Sequence, residues 1–414
     1  MEKTPKSMRL QIGIFGRANV GKSSFLNMIA AQDVAVTSPI PGTTTDVVEK
    51  PIELLPLGPV NILDTAGIDD TSILAEKRIE RTRRIFDRAD IVVLLVEPGI
   101  ITPFDEELIK MAKKAELPLV IVVNKIDLAP PTEEFIEKLE SYSQHIVTCS
   151  CAERNHREEY ITAFKNALLS IRQQDTQQSL PLVGDLVRPG GIAVLIVPID
   201  LQAPRGRLIL PQVQTIRDLL DNDAASVVVK EREYAHILQV LGQEPDIVIC
   251  DSQVVNKMVA DTPPHIKCTT FSILFSRFKG DLLEEVRGAA ALENVKAGDK
   301  ILIAEACSHH PLEDDIGRVK IPRWLRQYLG EEIQIDYAAG RDYPENLSQY
   351  KVVIHCGGCM LTRQEKLVRM RKAKIAGAPI TNYGLTISLV QGVLRRALSP
   401  FPAAIDILDN APKV

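Results

Sequence analysis

The chain has 414 residues, 45% of them hydrophobic and 25% charged, with a formal charge of −5. At roughly 150 residues per domain this length predicts three domains. The composition excludes general disorder and collagen-like repeats, and the negative balance argues against nucleic-acid binding driven by bulk charge. The longest apolar runs, Ile91–Val96 and Ile192–Ile199, are far shorter than the roughly 20 residues that cross a bilayer. The N-terminal stretch MEKTPKSMRLQIGIFG has neither a long apolar core nor a small-residue cleavage site, so the expectation is a cytoplasmic protein without membrane contact. Seven cysteines in this length are too few for a disulfide framework.

From Leu10 to Ile171 the chain alternates apolar runs with amphipathic stretches. The predicted strands are Leu10–Phe15, Val60–Leu63, Ile91–Val96, Leu119–Val123 and His145–Thr148. The predicted helices are Ser23–Ala31, Glu76–Arg88, Asp105–Ala115, Glu133–Ser141 and Glu158–Ser170. Such alternation predicts an α/β domain over 9–171 with a mainly parallel sheet. Residues 172–190, polar and then rich in Pro and Gly, read as a linker.

A small β/α unit is predicted over 191–263, with strands Ile192–Ile199, Ala225–Val229 and Asp246–Cys250 and helices Gln212–Asn222, Glu231–Leu241 and Ser252–Ala260. Three strands leave exposed edges. Pairing with a second copy is the simplest cover, so the homodimer contact is expected here; the alternative is packing against neighbouring domains of the same chain. Thr262-Pro263-Pro264 marks the next boundary. A third β/α domain is expected over 270–414, with strands Lys300–Ala304, Ile333–Tyr337, Tyr350–His355 and Ile380–Thr381 and helices Asp281–Leu292, Pro322–Leu329, Gln364–Ala376 and Gly384–Ala397. On the Gln364–Ala376 helix, Lys366, Arg369, Arg371, Lys372 and Lys374 read as a solvated basic face, the alternative being a docking face for an acidic partner.

Gly16-Arg17-Ala18-Asn19-Val20-Gly21-Lys22-Ser23, followed by Ser24, fits G-x-x-x-x-G-K-[ST] between a strand and a helix. Backbone N–H groups there close around phosphate oxygens, Lys22 reaches the β and γ phosphates, and Ser23 offers a hydroxyl to Mg²⁺. Asp64-Thr65-Ala66-Gly67 follows the second strand, placing Asp64 near the Mg²⁺ shell and the Gly67 amide near the γ-phosphate. Asn124-Lys125-Ile126-Asp127 ends another strand. The Asp127 carboxylate can accept from both N1–H and the exocyclic amine of guanine; adenine has no such pair of donors. Three motifs in order at strand ends predict a site for GTP and GDP.

This part resembles translation-factor-class GTPases of the TrmE/Era branch. Pro41-Gly42-Thr43-Thr44-Thr45-Asp46 resembles that branch's first switch, with Thr44 as its Mg²⁺-linked threonine. Asn19 matches the asparagine that helps such GTPases bind K⁺. Ile68 stands where a glutamine would orient water, so the resemblance implies slow hydrolysis stimulated by K⁺. Thr148-Cys149-Ser150-Cys151-Ala152 replaces the usual V-S-A-K of the last base-binding loop. Its two cysteines read as loop and strand-end residues rather than a metal pair.

A second constellation lies near the C-terminus. Cys307-Ser308-His309 is followed, after 45 residues, by His355-Cys356-Gly357-Gly358-Cys359. Both halves sit just past predicted strands, which would bring them to one rim of a parallel sheet. Ligand types alone leave two chemistries open: a closed Cys₃His zinc site, or a [4Fe–4S] cluster on three cysteines with one weakly held iron.

The GTPase, the middle β/α unit and C-x-H-x₄₅-H-C-x-x-C together resemble the HydF family, maturation GTPases of [FeFe]-hydrogenase, over nearly the whole chain. The resemblance implies a scaffold that holds a [4Fe–4S] cluster through Cys307, Cys356 and Cys359, with a labile fourth position. His309 and His355 match the signature histidines, either of which would supply the exchangeable ligand; Glu305 and Asp314 are acidic alternatives. It further implies a diiron precursor as cargo, radical-SAM maturases as donors and apo-hydrogenase as recipient, with GTP regulating docking. Two other readings compete: a zinc-containing GTPase of tRNA or ribosome maturation, and an electron-transfer enzyme, which would prefer four fixed cysteines.

Overall fold

The computed structural model describes residues 6–30, 48–64, 82–153, 155–178, 181–199, 208–306, 315–330, 332–340 and 343–411; of Lys6, Val48, Asp64 and 174–178 it describes the backbone only. The chain divides into two units, Met1–Ser179 and Leu180–Val414.

In the first unit β1 (Leu10–Phe15), β2 (Val48–Leu54), β3 (Gly58–Asp64), β4 (Ile91–Val96), β5 (Leu119–Val123) and β6 (His145–Thr148) form one sheet in the order β2-β3-β1-β4-β5-β6. All neighbours are parallel except β2 and β3. Every residue of β4 and β5 is buried, as a parallel sheet covered on both faces requires. Alternate residues feed two cores: Ile12, Val93 and Val122 on one face, Phe15, Leu94 and Ile121 on the other. The five expected strands are present. The sixth, β2, escapes the pattern because Glu49, Lys50, Pro51 and Glu53 interrupt it; an antiparallel edge tolerates both charge and proline.

The helices start where side chains can cap them. Thr102 and Asp105 form a reciprocal capping box for Pro103–Lys114, and Thr132 accepts from the Phe135 amide for Glu133–Glu140. The expected helix Glu76–Arg88 lies outside the described residues up to 81; 82–86 is helical. The last helix, Arg157–Gln178, runs well past Ser170 into the stretch read as linker. Its glutamines are good helix formers, and no Gly or Pro intervenes before Pro181.

The second unit contains two four-stranded sheets, all parallel. One is β10-β9-β7-β8, built from β7 (Ile192–Ile196), β8 (Ala225–Val229), β9 (Ile247–Cys250) and β10 (Lys267–Thr270). The other is β12-β11-β13-β14, built from β11 (Lys300–Ala304), β12 (Gln334–Ala338), β13 (Val352–His355) and β14 (Ile380–Asn382). Counted along the chain, both have the strand order 2-1-3-4. β10 lies beyond the proline pair expected to close the middle domain, so that sheet has four strands, not three. Its four residues, KCTT, carry too little apolar signal to be read alone.

The helix Phe271–Lys279, also unassigned from sequence, joins the two sheets: Ile273, Leu274 and Phe275 are buried in a core that takes in Leu195 and Ile249 from one sheet and Ile301 and Ile354 from the other. Same-chain packing therefore covers one edge of the middle sheet. At β10 the Cys268 amide donates to Ser399 Oγ at 2.9 Å, and Arg396 Nη2 donates to Pro263 O and Ile266 O at 2.8 and 2.6 Å. The opposite edge strand, β8, leaves Val228 exposed. No helix among the described residues is long and apolar enough to cross a membrane.

Candidate functional site

In the first unit the loop 16–21 runs from the C-terminal end of β1 into the helix Lys22–Ala30, whose first turn has no acidic residue. Its positive end is thus free to face an anion. Gly16 and Gly21 take positive φ, and so does Asn19 at 63°. A Cβ on Gly21 would stand 2.3 Å from Asn124 Nδ2, so the motif's second glycine is required by the close approach of the guanine-binding motif. Lys22 is buried and donates to Gly16 O at 2.8 Å and Arg17 O at 2.9 Å, which holds its ammonium within the loop. Asn19, Ser23 and Ser24 are exposed.

Asn124 staples the two motifs together. Its Nδ2 donates to Val20 O at 2.8 Å, and its Oδ1 accepts from the Cys151 amide at 3.2 Å. Asp127 is exposed, and its Oδ1 accepts from Ser150 Oγ at 2.6 Å. Ser150 thus orients the Asp127 carboxylate, and the Cys151 amide ties this loop to Asn124. Cys149 is fully buried with its Sγ 3.7 Å from Asn124 Oδ1, a packed strand-end residue as expected. Sequence reasoning missed Ser150. It also missed Glu97, which forms ion pairs with Arg17 of the phosphate loop and Lys125 of the base motif. Glu97 directly follows β4, and strand C-termini are where such sites gather. Of the other expected groups, Thr44 and Gly67 lie outside the described residues. Asp64 closes β3, with only its backbone described.

In the second unit, β11 and β13 are adjacent and in register, Ala304 beside His355. The chain leaves β11 toward β12 on one side and returns to β13 on the other. The crevice beyond their C-terminal ends is therefore the switch point of the sheet, where ligands bind in open α/β folds. Cys307 follows β11, and Cys356 and Cys359 follow β13. Cys307 and His309 lie outside the described residues, as does Asp314. Ala306, next to Cys307 in the chain, donates its amide to Cys356 Sγ at 3.1 Å, so the two strand ends meet at this sulfur. Gly358 has φ 65°, and a Cβ on Gly357 would meet only Ser272 Oγ at 3.7 Å, which leaves space over the C-x-x-C turn. Burial pushes the Cys359 thiol up, with the Lys279 ammonium pulling the other way. Among the described residues no three His, Cys, Asp or Glu side chains converge as a metal set.

His355 is placed otherwise than expected of a ligand. It is buried, with Nδ1 2.8 Å from Cys356 O and Nε2 2.9 Å from Arg369 Nη1. Arg369 can only donate, so Nε2 accepts and Nδ1–H donates to the carbonyl. Burial and the Arg369 charge lower its pKa to about 3. Both nitrogens are engaged in shaping the turn. Glu305, the acidic alternative, is buried and takes both Arg318 Nε and Nη2 at 3.2 Å.

The basic helix is a correction. Thr362 and Glu365 cap Arg363–Ile375 reciprocally, and Lys366 and Arg369, three residues apart, turn inward rather than to solvent. Lys366 Nζ lies 2.6 Å from Glu285 Oε1, both side chains nearly inaccessible. The contact pairs charges, although no hydrogen bond of good geometry reaches that nitrogen. Glu285 also accepts from Ser276 Oγ at 2.7 Å and from Asn382 Nδ2. Arg369 Nη2 donates to Gly340 O at 2.6 Å, with the guanidinium over the Tyr343 ring.

The sheet order, phosphate loop and guanine motif define a P-loop GTPase carrying two further parallel α/β sheets. Comparison with known families agrees: residues 11–125 match a family described as 50S ribosome-binding GTPase. Residues 182–280 match the hydrogen maturase F dimerization domain, and 283–400 its tetramerization domain. The two maturase matches together span more than half of the chain, which belongs to the HydF family. Curated relatives such as the following match the chain over its GTPase part. The tRNA modification GTPase MnmE of Picosynechococcus sp. is 37% identical over 161 residues, 38% of this chain and 34% of that protein. That of Nitrosospira multiformis is 43% identical over 124 residues, 29% of this chain and 27% of that protein. The chain thus spans about a third of the length of these relatives. Among solved structures, a probable GTP-binding protein engB aligns with 19% identity and a TM-score of 0.30, covering 40% of this chain and 99% of that one. Residues 11–125 thus form a GTPase domain, and 182–400 carry domains of a self-associating kind.

Proposed function

We propose that this GTPase is a scaffold in [FeFe]-hydrogenase maturation. Cys307, Cys356 and Cys359 hold a [4Fe–4S] cluster at the switch point between β11 and β13, with one coordination position left exchangeable. Such a cluster supplies an open iron to which cargo can attach and from which it can leave. The cargo is a diiron precursor received from radical-SAM maturases and passed to apo-hydrogenase. The observation that carries this reading is the meeting of the two strand ends at Cys356, whose sulfur accepts the amide of the residue preceding Cys307. Buried cations around that turn supply a second support. They suit an anionic group, and soft thiolates favour iron–sulfur chemistry. His355 acts in this reading by fixing the turn through Cys356 O and Arg369, which leaves His309 as the signature histidine available to the open position.

The nucleotide half acts as a switch. Ser23 and Thr44 hold Mg²⁺ and Asp64 its water; the Gly67 amide reads the γ-phosphate. Asn19 takes part in a K⁺ site that stimulates slow hydrolysis, since Ile68 offers no group to orient water. GTP regulates partner docking rather than cluster chemistry. The homodimer forms through the middle domain, in keeping with the open β8 edge, and the whole acts in the cytoplasm.

The test is transfer. Protein incubated with the maturases and then purified is expected to activate apo-hydrogenase, and Cys356→Ser protein treated alike is not. Equal activation by both would remove the cysteines from the cargo path. A Lys22→Ala variant that releases and exchanges its partners at the normal rate would remove the switch.

A further inference from the structure

Lys279 is the last residue of the helix Phe271–Lys279, within the span that matches the dimerization domain. Its side chain crosses to the other sheet's site. The residue is 3% exposed, and Nζ donates to Leu361 O at 2.8 Å and Cys359 O at 3.3 Å. Those carbonyls belong to the turn that carries the C-x-x-C cysteines. Among the described residues no carboxylate pairs with this ammonium: Glu285, buried beside Gly280, is taken by Lys366, and the Glu365 charge also favours the ammonium. Arg369, on the other flank of the turn, is likewise bonded only to neutral acceptors, His355 Nε2 and Gly340 O. Among the described residues three buried cations, Lys279, Lys366 and Arg369, therefore flank the turn, while the buried carboxylates Glu285 and Glu305 are paired with Lys366 and Arg318. A buried charge left without a counter-charge is strongly destabilising. A [4Fe–4S]²⁺ core on three thiolates carries net negative charge, greater still when reduced, and potentials of such clusters respond to nearby charge and hydrogen bonds.

We propose that Lys279 is the counter-charge of the cluster-bearing turn: a positioning residue, reaching in from the middle domain, that raises the cluster's reduction potential and ties its loop to that domain. The inference rests on the scaffold reading above. It explains why a lysine is buried with only carbonyl acceptors. It also gives the middle domain a direct mechanical connection to the site, since any shift of that helix end moves the ammonium relative to the cysteines.

The experiment compares full-length wild type, Lys279→Gln, which keeps a donor for the two carbonyls and drops the charge, and Lys279→Arg, which keeps the charge. Each is melted as apo protein. Each is then reconstituted anaerobically with iron and sulfide and titrated for its midpoint potential by EPR. The expected result is an apo K279Q melting temperature equal to or above wild type, because an unpaired buried charge has been removed. Its reconstituted potential is expected to shift to more negative values beyond the spread of replicate titrations, with K279R at the wild-type potential. A K279Q apo protein without a cooperative melt, or a folded one with an unchanged potential, overturns the proposal. Failure of wild type itself to take up iron would overturn the scaffold reading instead, so the two failures are told apart.

Discussion

The two sites of this chain are built at the same kind of place by different means. Both lie beyond the C-terminal ends of adjacent parallel strands, β1 and β4 in one unit, β11 and β13 in the other. The nucleotide site is made mostly of backbone. Glycines with positive φ, a helix start and the amide of Cys151 set its shape, and Asn124 and Ser150 lock the pieces together. The cysteine site is made of side chains placed over buried charge, with Lys279, Lys366 and Arg369 gathered around one turn. The first arrangement suits a ligand that comes and goes with its own counter-ion. The second suits an anionic group that stays. Sheet topology thus says where a site is, and the local balance of charge says what it can hold.

The largest expected effect separates the two sites cleanly. Changing Cys356 and Cys359 together to Ser is expected to bring iron after reconstitution down to the background of untreated protein, while GTP binding stays as in wild type. Loss of both functions would mean that the variant had disturbed more than the turn. The complementary break is Asp127→Asn. The amide cannot accept both guanine donors, so GTP affinity is expected to fall about 100-fold or more, with xanthine nucleotide regaining it and iron content unaffected; nucleotide titration by calorimetry reads both.

A smaller effect sharpens the assignment of His355. Replacing it with Ala leaves Nη1 of the buried Arg369 without its acceptor, so apo stability is expected to drop by about 1–3 kcal/mol in denaturant unfolding, while iron content after reconstitution persists. Loss of iron at full apo stability would make His355 a ligand after all. The smallest effect tests the missed serine: Ser150→Ala removes one neutral-to-charged hydrogen bond that orients Asp127, expected to weaken GTP about tenfold. An unchanged affinity would mean that Asp127 needs no such support.

How much could be read beforehand follows the same division. The phosphate loop, Asn124 and Asp127 were legible because backbone-built sites impose fixed spacings and glycines on the sequence. The strands β4, β5, β11 and β13 were legible because two-sided burial makes unbroken apolar runs. Ser150 was obscured by the cysteines on either side of it, and β2 and β10 by charge, proline and brevity at sheet edges. Lys279, Lys366 and Arg369 were illegible for a deeper reason. A lysine on a helix reads as solvated, and only the folded chain shows that these three face the interior. Glu285, which pairs with Lys366, lies far from it in sequence, so no local pattern announces the match.

The rim beyond β11 and β13 is proposed to hold an iron–sulfur cluster. Anaerobic reconstitution of the full-length protein, followed by iron, sulfide and zinc analysis and EPR of the reduced sample, tests it most directly. About four irons and four sulfides per chain are expected, as a single [4Fe–4S] cluster requires, with an EPR signal that shifts when imidazole is added. Stoichiometric zinc with no iron uptake would contradict it.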